Sequence, residues 1–85
     1  MTDIQMMPDP YPSKTAGRFT ARALGGGNVE LIRSGGPGKG PTLRTVLLGR
    51  EDVQQTLEAT SARAGAEARD QANVLRWALM EASHG

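Results

Sequence analysis

Cysteine is absent from this chain of 85 residues. That rules out disulfides and thiolate metal sites, and it removes the staple on which small secreted domains usually rely. Histidine occurs once, as His84 beside the C-terminal residue, a poor position for a general base. With no cysteine either, a nucleophile paired with a base has little support, and no HExxH, EF-hand or paired-cysteine spacing is present. Aromatic residues are scarce, with one Trp, one Tyr and one Phe. No apolar run approaches the ~18 residues of a membrane span. The opening MTDIQMMPDPYPS has neither the basic nor the apolar region of a secretory leader. These absences lead us to expect a non-enzymatic, cofactor-free cytoplasmic protein.

The loop GGPGKGP over 35–41 is the stretch nearest to a nucleotide-binding motif. A phosphate-binding loop reads G-x-x-x-x-G-K-[ST]. Here Gly40 follows Gly38-Lys39, and Arg33 stands where the first glycine belongs. The metal-binding hydroxyl and the required turn are both missing, so the loop reads as a hairpin tip carrying Lys39.

What is present falls into an arm, three strands and a helical stretch. Pro8, Pro10 and Pro12 alternate in residues 1–16, which favours an extended proline-rich arm with Met6, Met7 and Tyr11 as its large apolar groups. Residues 17–24 alternate, with Phe19, Ala21 and Ala23 on one face and Arg18, Thr20 and Arg22 on the other. Gly25-Gly26-Gly27-Asn28 tolerates positive φ and allows a hairpin. Residues 29–33 and 42–48 then read as the second and third strands. The expected fold class is α+β: a three-stranded antiparallel sheet followed by a long C-terminal helix, with residues 17–85 forming one β-β-β-α domain.

From Arg50 to His84 the chain has no proline, one glycine (Gly65) and a majority of strong helix formers. Val53, Leu57, Ala64, Ala68, Leu75, Leu79 and Ala82 fall on one stripe less than about 90° wide. Some 33 residues of helix would span about 50 Å, more than strands of eight residues reach. Either the helix breaks near Thr60-Ser61 or Gly65 into a hairpin, or its far half protrudes towards another chain. Trp77 and Met80 fall on the side opposite the stripe. They are either covered by the arm or the first helical half, or they form an exposed patch for a partner.

Charge is divided along the chain. Residues 1–50 hold seven basic and three acidic residues (+4), while 51–85 hold three basic and six acidic (−3). Two binding classes follow. A protein partner or multi-subunit complex would be met by Trp77, Met80 and Tyr11, with homodimerisation through the long helix as one form of it. A nucleic acid, the second choice, would be tracked by Arg18, Arg22, Arg33, Lys39 and Arg44 on the sheet and its tip. In size and in its order of strands then helix, the chain resembles small phage or mobile-element proteins, including anti-CRISPR inhibitors that occlude a host complex. That resemblance is one of architecture and carries no motif.

Overall fold

Alternation in the first half of the chain produces strands with one apolar face, and a computed structural model shows how they assemble. It describes residues 11–84. The architecture is α+β, with strands β1 (Ser13–Ala16), β2 (Phe19–Gly25), β3 (Asn28–Arg33) and β4 (Leu43–Leu47), then helices α1 (Arg50–Ser61) and α2 (Ala66–His84). The strands form one antiparallel sheet in the order β1-β2-β3-β4. The sheet therefore has four strands where the sequence suggested three. The extra strand is the end of the supposed arm: Ser13–Ala16 pairs with β2 through a two-residue turn at Gly17-Arg18. Pro12 precedes that strand and leaves its ladder intact. The rest of the arm, with Met6 and Met7, lies outside the described residues.

Register places the apolar positions together. Phe19, Ala21 and Ala23 lie opposite Arg33, Leu31 and Val29, and Val29 and Leu31 lie opposite Leu47 and Thr45. Gly25 pairs with Asn28, leaving Gly26 and Gly27 as the loop, with φ of 64° and 84°. Two successive positive-φ residues make the tight hairpin turn whose twist matches antiparallel strands.

The helical stretch is broken between Ser61 and Ala66. Gly65 sits at φ 108°, a conformation that side-chain-bearing residues avoid, and its carbonyl accepts from the Arg69 amide at 3.1 Å to start α2. Thr60, buried, donates to the Thr56 carbonyl at 2.7 Å and accepts from Gln71 Nε2 at 2.7 Å. That hydroxyl ties the end of α1 to α2. The break resolves the length problem. A helix of 19 residues spans about 28 Å and one of 12 about 18 Å, both within reach of the sheet.

The start of α1 also has an explanation the local sequence does not offer. Gly49, at its N-cap, makes no side-chain cap. Instead Asn28 Oδ1 accepts from the Gly49 amide at 3.0 Å, and Asp52 Oδ2 accepts from the Leu48 amide at 3.0 Å. The cap comes partly from the β2–β3 hairpin, 21 residues away.

Both helices lie on one face of the sheet, α2 over β1 and β2, α1 beside it against β3. Phe19, Ala21, Val29, Leu47, Val53, Val74, Leu75 and Ala78 form the core between the layers. Because α2 touches both the sheet and α1, its buried arc is wider than the predicted stripe and takes in Val74 and Ala78. Trp77 stands at one edge of that arc and packs on the core. Two turns earlier on the same side, Asp70 lies against Gly17, so Trp77 faces the β1 side of the sheet. Met80, by contrast, is 60% exposed. The two side chains thus differ in burial, Trp77 packing on the core and Met80 meeting solvent.

Candidate docking surface

Four of the five sheet cations named from the sequence are already matched to acids. On the open face of the sheet, Glu30 accepts from Arg22 Nη1 at 2.6 Å and from Arg44 Nη1 at 3.4 Å. The Arg22 guanidinium lies 5.4 Å from the centre of the Tyr11 ring, within cation–π range. At the opposite end of β2, Glu67 from α2 accepts from Arg18 Nη1 at 2.9 Å and Arg33 Nη2 at 3.1 Å. Arg18 also donates to the carbonyls of Ser34 and Lys39. The Arg33 and Arg18 guanidiniums hold the Glu67 carboxyl below the usual glutamate range, Arg33 contributing more.

Arg18 and Arg22 therefore do not share a face. Arg18 sits in the turn before β2, where the pleat no longer sets side-chain direction, and it reaches across to the helical layer. Lys39 stands exposed at the loop tip, which is closed by a Gly36–Gly40 bridge. The five cations are split among two sheet faces and one loop, which differs from the single row that tracks a phosphate backbone.

The protein-binding candidates are dispersed as well. Tyr11 lies beside Arg22 and shares a cleft with Pro12, Asn28, Glu81 and Ala82 at the C-terminal end of α2. Trp77 is half-buried on the core, and Met80 projects from the outer side of α2.

Other large apolar side chains are exposed on and beside β4. Leu43, Val46 and the adjoining Leu48 are 50%, 51% and 69% exposed. The strand pairs with β3 on one side, and among the described residues no strand pairs with its other side. Its helix-facing side opens into a cleft of about 300 Å³ lined by Phe19, Leu31, Leu43, Thr45, Leu47 and Thr56, with Arg33 and Gln71 at its end. On the reverse side, Val46 lies opposite Glu30. β4 thus offers unpaired backbone groups together with apolar side chains on both faces. From the sequence, the run Val46-Leu47-Leu48 suggests a strand buried on both faces near its end; the structure buries Leu47 and leaves Val46 and Leu48 exposed. The signal for that exposure was the strand's place as the last one before a short helix.

Among the described residues, no group of three or more metal-ligating side chains occurs, and no helix is long and apolar enough to cross a membrane. In comparison with known proteins, no family model, curated protein or solved structure matches the chain.

Proposed function

We propose that this chain is a small non-enzymatic protein-binding module, and that its docking element is the free edge of β4. The observation that carries this reading is the exposure of Leu43, Val46 and the adjoining Leu48 on an edge strand whose outer side pairs with no strand among the described residues. An extended segment of another protein adds to such an edge through main-chain hydrogen bonds, and side-chain pockets on alternate positions give selectivity. The cleft beneath Leu43 and Thr45 supplies such a pocket on the helix-facing side. A module of this kind suits an inhibitor that occludes a larger complex. The nucleic-acid alternative is supported less, since Arg18, Arg22, Arg33 and Arg44 each meet a glutamate.

The test is a nuclease-treated pull-down from host lysate with the intact chain and the double variant Leu43→Glu/Val46→Lys. The new charges complement Arg33 and Glu30, their cross-strand neighbours, so the fold is expected to survive, as a circular-dichroism melt would show. A discrete partner should be retained by the parent and lost with the variant. Equal capture by both would remove β4 from the interface. Loss of capture on nuclease treatment would shift the reading to nucleic acid.

A further inference from the structure

Arg63, Arg69 and Arg76 are the basic residues of the acidic half of the chain, and the fold brings all three to one cleft. It has a volume of about 370 Å³ and lies where the two helices meet, with Thr60, Ser61, Ala64, Gly65, Ala68 and Ala72 between the arginines. Arg69 and Arg76 are seven residues apart, so they lie on one side of α2 about 10 Å apart along its axis. Arg63 comes from the link before α2. Ala68 and Ala72, both buried, form a low floor, which is why a cleft exists there at all.

The charges around this cleft are unbalanced. No acidic residue lines it, and among the described residues none of its arginines makes an ion pair. Arg76 donates to the neutral Asn73 Oδ1 at 3.3 Å. Glu67, the nearest acid in sequence to Arg63, is already occupied by Arg18 and Arg33. Three like charges around one depression repel one another until an anion joins them, and each guanidinium brings a fork of donors suited to oxyanions.

The cleft is also joined to β4. It shares Arg63 and Ala68 with a middle cleft also lined by Phe19, Arg33, Gln71 and Glu67, the last neutralised by Arg18 and Arg33, and Phe19, Arg33 and Gln71 also line the apolar cleft at Leu43. One track therefore runs from the apolar edge of β4 to the arginines at the helical turn.

We infer that the Arg63/Arg69/Arg76 cleft is an anion subsite that receives an acidic stretch of the protein segment docked at β4. This inference rests on the protein-binding reading above and names the chemistry of the partner: apolar side chains for the β4 end, carboxylates for the α2 end. A peptide fits better than a nucleic acid, because no aromatic side chain lines the arginine cleft and Phe19, in the adjoining one, is buried. Base stacking, the usual complement to phosphate contacts on single strands, has no platform there.

Binding of fluorescein-labelled hexaglutamate to the full chain, followed by anisotropy, tests this. Arg69→Glu/Arg76→Glu should weaken binding by roughly tenfold or more at about 20 mM salt, where surface charge is little screened. Lys39→Glu/Arg50→Glu, with the same change in net charge at exposed sites, should weaken it by less than about threefold. Equal losses in both variants would reduce the effect to bulk charge and overturn the subsite, as would no binding to the parent. A single-stranded oligonucleotide of about 12 nucleotides serves as the rival probe. Tighter binding of it, lost with the same arginines, would also overturn the peptide assignment. Leu43→Glu/Val46→Lys leaves net charge unchanged and should leave hexaglutamate affinity intact. Failure of the anion subsite is therefore distinguishable from failure of β4 as the docking edge.

Discussion

The two edges of this sheet face the same physical problem and are treated differently. β1 is four residues long, carries Lys14, follows Pro12, and has α2 packed over it. A short strand, an edge lysine, a nearby proline and a covering helix are the usual ways of discouraging further pairing. β4 is one residue longer, has Arg44 as its one charged side chain, and is covered by a helix far less than β1 is. It contains neither lysine nor proline, and four of its five residues are exposed. The helical hairpin is responsible for part of the contrast. Its longer arm, α2, lies over β1 and β2, while the shorter α1 reaches β3. Leu47 is the β4 residue drawn into the core, and the rest of the strand projects past the helical layer. A sheet protected on one side and bare on the other has a direction, and the bare side is the docking edge proposed above.

The largest effect expected from breaking this contrast is on stability. Leu75 is fully buried between the layers, whereas Leu43 is half exposed. Leu75→Ala should cost about 2–5 kcal/mol in urea unfolding, because a cavity adds to the lost transfer energy. In a chain of this size that is a large fraction of the total. Leu43→Ala should cost less than about 1 kcal/mol, since much of its surface already meets water. Equal costs would mean that β4 is covered in solution, and the distinction between the edges would disappear.

Trp77 and Met80 provide a second, smaller test, on the β1 side and the outer side of α2. Trp77 is half-buried against the core, so Trp77→Ala should destabilise by about 2 kcal/mol, less than for a fully buried aromatic. Binding at β4 by the folded variant should persist. Met80→Ala should change stability by no more than about 0.5 kcal/mol, as for other exposed positions. If Met80→Ala abolishes capture of a partner while the melt is unchanged, the outer side of α2 would replace β4 as the interface.

These two residues also show where sequence reading succeeds and where it stops. The period-two pattern of Phe19, Ala21 and Ala23, the glycine hairpin and the weak helix formers around Thr60 and Gly65 are local signals. They led to the antiparallel sheet, the turn and the site of the break. Trp77 was left between a covered position and an exposed patch because a stripe calculation presumes one packing partner per helix. Here α2 has two, and its buried arc widens accordingly. Ser13–Ala16 was hidden by the prolines before it, and the cap on α1 depends on Asn28 in another hairpin. The pairing of the arginines with Glu30 and Glu67 depends on register and helix placement, which no local pattern encodes. Arg63, Arg69 and Arg76 entered the sequence reading only as the three cations of an acidic half, and it is the fold that brings them to one cleft.

The smallest predicted effect concerns Glu67, which ties α2 to one end of the sheet by holding Arg18 from the β1–β2 turn and Arg33 from the end of β3. These arginines lower its pKa in the folded state, so the folded protein binds this proton less readily than the unfolded chain does. Lowering the pH therefore favours unfolding. The contribution of Glu67 is complete above the ordinary glutamate range, near pH 4.3, and is lost as the pH falls through and below it. Glu67→Gln should consequently lower the melting temperature slightly at pH 7, and the gap to the parent should close as the pH falls from about 5 to 3. Because the carboxylate is solvent-exposed, the gap at neutral pH should also shrink at high salt, where surface ion pairs are screened. A gap that stays constant across that range, or widens in acid, would mean that Glu67 acts by packing rather than by charge. Arg18 and Arg33 would then count, like the three arginines of the neighbouring cleft, as cations still open to an acidic partner.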